Sequence, residues 1–305
     1  MTATHALVPA TREGGVAAAP GADSGRWELI RALGALCSVA PPDGWVISDA
    51  LGLRRWSRAE HTAVFVLDLP PHASIHLGPE GKLGGDGADR VAGMWRALGL
   101  VPPADADHLA ALLALYAELG QAGDACQGSD TRRRLDHARH ALLAEHLMSW
   151  LPGYLAAAGT QHAASGWAAL TAAAIRREVD RMGLPGELPA ALREAPAPLG
   201  AGDGLGELLD ALPAPVRTGF VLTQADLVGA GRQIGVGVRR GERRFALRAM
   251  LEQDPSATLA WLGAHARRWV SLHRHSTLAG PAQDWWADRA ASTSAVLDSL
   301  ARSVA

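Results

Sequence analysis

Cysteine is nearly missing from this sequence. Two residues in 305, Cys37 and Cys126, cannot build a disulfide framework, and neither stands in a C-x-x-C or C-x-x-H spacing. That pattern fits a reducing compartment and argues against a Cys-rich zinc or iron–sulfur site. Lysine is scarcer still: Lys82 is alone among 29 basic residues. Aromatic residues make up 5%, and 10 of them are Trp. With the abundant Ala and Gly, this bias reads as the composition of a GC-rich gene and carries no functional weight. A formal charge of −2 lacks the basic footprint of a general nucleic-acid binder. No run of 18 uncharged apolar residues occurs; the nearest, Ala141–Ala158, contains Glu145 and His146. No transmembrane helix or membrane insertion is therefore expected. Residues 1–25 lack a positive region followed by an apolar core and read as a disordered Ala/Gly/Pro head, so the protein is expected to be cytoplasmic.

Familiar catalytic signatures are missing as well. There is no Walker A loop, no G-x-G-x-x-G between strand and helix, no H-E-x-x-H and no G-x-S-x-G. Gly229, Gly231, Gly235 and Gly237 are dense, but no strand pattern precedes them, and they read as a loop between helices. The 12 histidines include His72 and His76, four apart, and the group His137, His140 and His146. None of these spacings matches a metal-ligand rule, and surface or capping histidines explain them better.

What is present is helical periodicity. Apolar residues recur every three or four positions in Trp27–Val39, Ala88–Leu98, Asp107–Leu119, Thr131–Ala158 and Ala163–Met182. Pro152 is expected to break or kink the fourth of these. Trp45–Leu53 reads as a short helix and Arg58–Leu69 as the end of one. Asp105 or Asp107 is the expected N-cap of the third helix. Beyond Pro185–Gly206, rich in Pro, Gly and Ala, the helices expected by period are Gln224–Ile234, Glu242–Gln253, Ser256–His273 and Asp284–Arg302. The expected fold class is all-α. The expected organisation is a head at 1–25, a helical domain at 26–190, a linker at 191–206 and a helical C-terminal extension at 207–305. Charge differs along the chain. Residues 60–160 hold 12 acids and 7 bases (−5), while residues 215–275 hold 4 acids and 10 Arg (+6).

One loop stands out. Pro70–Gly87 is long for a compact helical protein and holds apolar residues a plain linker avoids. Three blocks resemble the redox-enzyme maturation chaperones of the TorD/DmsD type, related to NarJ. They are Leu69-Pro70-Pro71-His72-Ala73-Ser74-Ile75-His76-Leu77 running on to Gly84-Gly85-Asp86; Pro103 to Asp107-His108-Leu109, similar to a P-x-D-H-[IL] signature with one extra residue; and His146-Leu147-Met148-Ser149-Trp150, similar to H-L-x-x-W. The resemblance covers roughly residues 25–185 and leaves the head and the last hundred residues outside it.

The resemblance implies a TorD/DmsD-like all-helical core and a cytoplasmic chaperone, not an enzyme, with no cofactor or metal of its own. Its partner would be a molybdoenzyme precursor. It would bind the twin-arginine leader, or the body, of the catalytic subunit until the molybdenum cofactor is inserted. Contact with molybdenum-cofactor biosynthesis proteins belongs to the same implication. Such a leader needs an apolar groove for its oily stretch and carboxylates for its Arg pair. Apolar candidates are Phe65, Leu69, Pro71, Ile75, Leu77, Trp95 and Trp150, the two indoles being more readily core residues. Acidic candidates are Glu80, Asp86, Asp105, Asp107 and Glu145. The expected peptide-binding residues are Pro71, His72, Ser74, His76, Gly85, Asp107, His108, Phe65 and Leu69. His72 and His76 stand where some relatives carry aromatic rings, which would soften or re-tune peptide stacking.

Two rival readings exist. Thr223–Ile234, a Gly-rich turn and Glu242–Gln253 could form a helix-turn-helix with Arg239, Arg240, Arg243, Arg244 and Arg248 toward phosphate. The long turn disfavours it. A nucleotide-handling enzyme is disfavoured by the missing P-loop.

Overall fold

The computed structural model describes residues 24–304, except positions 201, 239, 240, 277 and 279. The head expected at residues 1–25 lies outside the described residues up to position 23, as do Arg239 and Arg240. The described secondary structure is helical throughout, with one isolated bridge, His72 to His108, as its only extended pairing. The helices run α1 Ser24–Leu36, α2 Trp45–Ala50, α3 Arg58–Thr62, α4 Ala73–Leu77, α5 Gly85–Ala97, α6 Leu109–Ala125, α7 Ser129–Ala141, α8 Leu151–Thr160 and α9 Ser165–Met182. They continue as α10 Ala190–Arg193, α11 Leu205–Ala211, α12 Pro215–Thr218, α13 Gln224–Ile234, α14 Arg243–Gln253, α15 Pro255–Arg274 and α16 Ala282–Ser303.

Local chemistry sets several of these starts. Ser57 and Thr223 each open a helix through a reciprocal capping box, with Glu60 and Asp226. Asp254 caps α15 by accepting the Ala257 amide, and Pro255 follows where a missing N–H costs nothing. Two π-helical turns, Ala63–Asp68 and Leu142–Leu147, extend α3 and α7. Such turns are rare and re-aim the side chains they carry.

Four expectations need correction. The Pro70–Gly87 stretch is not all loop: α4 lies within it, with Ala73, Ser74, Ile75 and His76 buried. Thr131–Ala158 breaks at Met148–Trp150, and Pro152 is an opening residue of α8 rather than the break. Gly229 and Gly231 sit inside α13, and only Gly235, at φ +76°, ends it. Gly231 is buried against Val238, so close packing rather than a turn explains it. Within 191–206, Leu192 and Leu199 are buried, and α10 overlaps the start of the stretch.

The core runs from one end of the described chain to the other. Trp27, Tyr116, Trp150, Tyr154 and Trp167 belong to the same buried cluster as Phe220, Met250, Trp269 and Leu297. α1 lies so close on α6 that Gly120 leaves its Cβ position to the Trp27 ring, whose Nε1 donates to Asp124 at 2.6 Å. Other buried indoles likewise find acceptors, Trp167 on Leu33 O at 2.9 Å and Trp56 on Ala163 O at 2.6 Å. α15 and α16 form an antiparallel hairpin. Its helix α15 packs on α8, α12 packs on α4, and α13 packs on the turn Ala63–Asp68.

Candidate functional site

The Pro71–Ser74 segment and the entry to α6 are tied together by four hydrogen-bonding groups. Leu109 donates its amide to Pro71 O at 2.8 Å, and Ala73 donates to Asp107 O at 3.0 Å. The Ser74 amide donates to the Asp107 carboxylate at 2.9 Å. His72 Nδ1 lies 3.4 Å from the other Asp107 oxygen, a longer and weaker contact than the amide bond. The His72 and His108 rings meet edge-on, centroids 4.7 Å apart.

Asp107 is therefore not the helix cap. His108 is, its Nδ1 accepting the Ala110 amide at 3.0 Å. Asp107 spends its carboxylate across the chain instead, on a residue 33 positions away. Burial works against its charge, but His72 and the Ser74 hydroxyl and amide outweigh it, holding the carboxyl down to about 2. His108 is pushed down to about 4, chiefly by burial and then by the charge of His72. A neutral ring that accepts at Nδ1 carries its proton on Nε2.

Beside this knot opens a cleft of about 600 Å³. Phe65, Val66, Pro70, His72 and Leu83 line it, together with Pro103, Ala104, Asp105 and His108 from the entry to α6. Cys37 and His61, both buried, also line it. Val66 is 57% exposed and Leu83 62%, so apolar side chains stand free beside it. Among the described lining residues Asp105, exposed, is the one carboxylate.

Of the residues expected from sequence, Phe65, His72 and His108 line the cleft. Pro71 and Asp107 form its buried support. Leu69 is buried, its carbonyl accepting the Tyr154 hydroxyl at 3.1 Å. Ser74 is fully buried, and its hydroxyl accepts the Gly84 amide at 3.2 Å, tying the start of α5 to α4. Gly85 is exposed at that helix start with φ +64°. His76 faces elsewhere: it stacks on Trp150 with centroids 5.1 Å apart and lines a small pocket with Phe220, Trp269 and His273. Burial pushes it down to about 3. Trp150 is core, at 1% exposure. Glu145 accepts the Ala190 amide at 2.6 Å, and Glu80 lies at a separate depression with Lys82 and Arg217. Sequence reasoning missed Val66, Leu83 and His61. The available signal for Leu83 was an apolar residue alone in a Gly-rich polar stretch.

The helix-turn-helix reading gains no support. Arg243 donates to Leu222 O at 2.8 Å and Arg244 pairs with Asp210, so two of its five arginines are engaged within the molecule. Among the described residues no group of three His, Cys, Asp or Glu could hold a metal, and no helix is long and apolar enough to cross a membrane.

An all-helical scaffold with an open apolar cleft, its polar neighbours already fixed by internal hydrogen bonds, has the geometry of a protein that receives an apolar segment. The family model described as nitrate reductase delta subunit matches residues 28–156, and this part of the chain is similar to that family. No curated protein and no solved structure matches the chain. The matched segment contains the whole knot and cleft. The family carries a chaperone role in molybdoenzyme maturation, with the catalytic subunit as partner.

Proposed function

We propose that the protein is a cytoplasmic, non-catalytic chaperone that holds the twin-arginine leader of a molybdoenzyme catalytic subunit in the cleft beside His72 and His108. One observation carries this reading. The Asp107 knot fixes two distant segments so that an apolar wall, a neutral His108 and the Asp105 carboxylate surround one open volume of about 600 Å³. The oily stretch of the leader would lie against Phe65, Val66, Leu83 and Pro103, removing them from water at about 25 cal/mol per Å². An Arg of the pair would meet Asp105 in a two-point contact. Residues 28–156 would be the receiving unit, and the helices beyond Pro185–Gly206 its support.

The test is calorimetry on the full chain with a synthetic peptide bearing an Arg-Arg pair ahead of a moderately apolar stretch, and with its Lys-Lys counterpart. The expected result is measurable binding that weakens about tenfold for Asp105→Asn and for the Lys-Lys peptide. Equal binding of both peptides, unchanged by Asp105→Asn, would overturn the reading.

A further inference from the structure

A second depression, also of about 600 Å³, lies between the end of α5 and α7. Its floor is apolar, made of Met94, Leu98, Ala138 and Ala141. Its rim is basic: Arg133, Arg134 and His137 are all exposed. Arg133, Arg134, His137, Ala138 and Ala141 recur at three- and four-residue spacing along α7 and so share one face of it. Among the described lining residues the one acid is Asp130, which pairs with Arg133. On the same helix Asp136 pairs with Arg139 at 3.0 Å. Arg132 and Arg134 donate instead to a carbonyl, Cys126 O, and a hydroxyl, Thr131 Oγ1. Four arginines thus stand against two carboxylates on α7, a local surplus of positive charge within a stretch whose balance is −5.

We propose that this groove docks an amphipathic helix with acidic flanks, supplied by a partner protein. The geometry is that of a helix laid between two others: apolar side chains settle on Met94 and Leu98, and carboxylates reach Arg133, Arg134 and His137. Charge complementarity selects that occupant. A twin-arginine leader would meet like charge here, so this surface is distinct from the cleft at His72 and does not depend on the reading of that cleft.

The experiment uses the full chain and fluorescence anisotropy. The probe is a labelled synthetic helical peptide with Leu at i, i+3, i+4 and i+7 and Glu on its flanks; a second carries Lys for Glu. The Glu peptide is expected to bind, more weakly as salt rises. The double variant Arg133→Glu/Arg134→Glu is expected to lose about tenfold in affinity for it and to gain affinity for the Lys peptide. Met94→Ser is expected to weaken binding severalfold. Both arginines are exposed, so circular dichroism should be unchanged, and binding of the Arg-Arg peptide at the other cleft should stay the same. No binding of the Glu peptide, or binding indifferent to charge reversal, overturns the proposal. Dimerisation in sedimentation that the double variant abolishes would assign the face to a second copy of this chain instead. Binding of a short DNA duplex lost in the same variant would assign it to nucleic acid.

Discussion

His72 and His76 stand one helical turn apart and serve two different regions. His72 stays half-buried at an open cleft, beside a carboxylate and a second imidazole. His76 is sealed between Trp150 and Tyr154, and the C-terminal helices close over it. Those helices repeat the second arrangement. Trp261, His265, Trp269 and His273 recur every four residues along α15 and so share a face. His265 stacks on Trp261 and reaches Val221 O at 3.0 Å; His273 stacks on Trp286 and reaches Gly219 O at 2.7 Å. Burial holds both rings toward the neutral form. An imidazole can thus serve as a flat core ring, and in His265 and His273 one nitrogen also finds a carbonyl. Whether it does so here depends on what covers it, not on its own neighbours in sequence.

The sharpest way to break this contrast is through glycine. Gly219 sits at φ +77°, and a Cβ there would collide with the backbone nitrogen of Ala290 in α16. Gly85 is at φ +64° beside the open site, with nothing within 4 Å of a Cβ. Both substitutions to Ala strain the backbone by about 1–2 kcal/mol. Only Gly219→Ala also forces two packed elements apart, so its total is expected to reach about 4 kcal/mol or more. Urea unfolding followed by circular dichroism should show the difference. Equal losses for the two variants would mean that the seam is as yielding as the cleft.

Next in size is acid sensitivity. His76 has a folded-state value of about 3, below its ordinary 6.5, so its stabilising effect is complete above pH 6.5. As pH falls below 6.5 the unfolded chain takes up the proton that the folded one refuses. By pH 5 this one ring is expected to cost about 2 kcal/mol. Asp107, held at about 2 against an ordinary 3.8, has the opposite window: its contribution is constant above 3.8 and fades as pH drops toward 2. His76→Phe should therefore flatten the loss of stability between pH 7.5 and 5. Asp107→Asn should lower stability by about 2 kcal/mol equally at both values. Unequal losses at the two values would show that the Ser74 amide is not the main partner of this carboxylate.

Much of the helical content was legible because it is local. Gln224–Ile234 has apolar spacing, a Thr223 cap and a Gly235 stop within a dozen residues, and the helix appears with those bounds. The blocks around His72 and Asp107-His108 were legible as a pair through their resemblance to one family, and they do meet in space. The exchange of roles between Asp107 and His108 was not legible. A helix N-terminus invites a carboxylate on electrostatic grounds, but the Ser74 amide, 33 residues distant, claims that carboxylate first and leaves the cap to the imidazole. The burial of His76 was hidden for the same reason, since Phe220, Trp269 and Trp286 come from segments more than a hundred residues away.

Exposure offers the finest distinction between the two regions, and Val66 tests it. Its side chain belongs to the π-helical turn that ends α3, 57% exposed at the cleft wall, while its neighbours Val64 and Phe65 are buried. The folded chain gains little from a surface methyl pair, so Val66→Ser is expected to change stability by less than about 0.5 kcal/mol. A bound leader would cover that same surface, and losing two methyl groups there should weaken the Arg-Arg peptide severalfold. Leu98→Ser makes the opposite comparison: buried and lining only the second groove, it should destabilise the fold while leaving affinity for the Arg-Arg peptide unchanged in the folded fraction. Calorimetry beside urea unfolding separates the two quantities. If Val66→Ser proved neutral in both, the exposed valine would be an ordinary surface residue and the wall of the cleft would lie elsewhere.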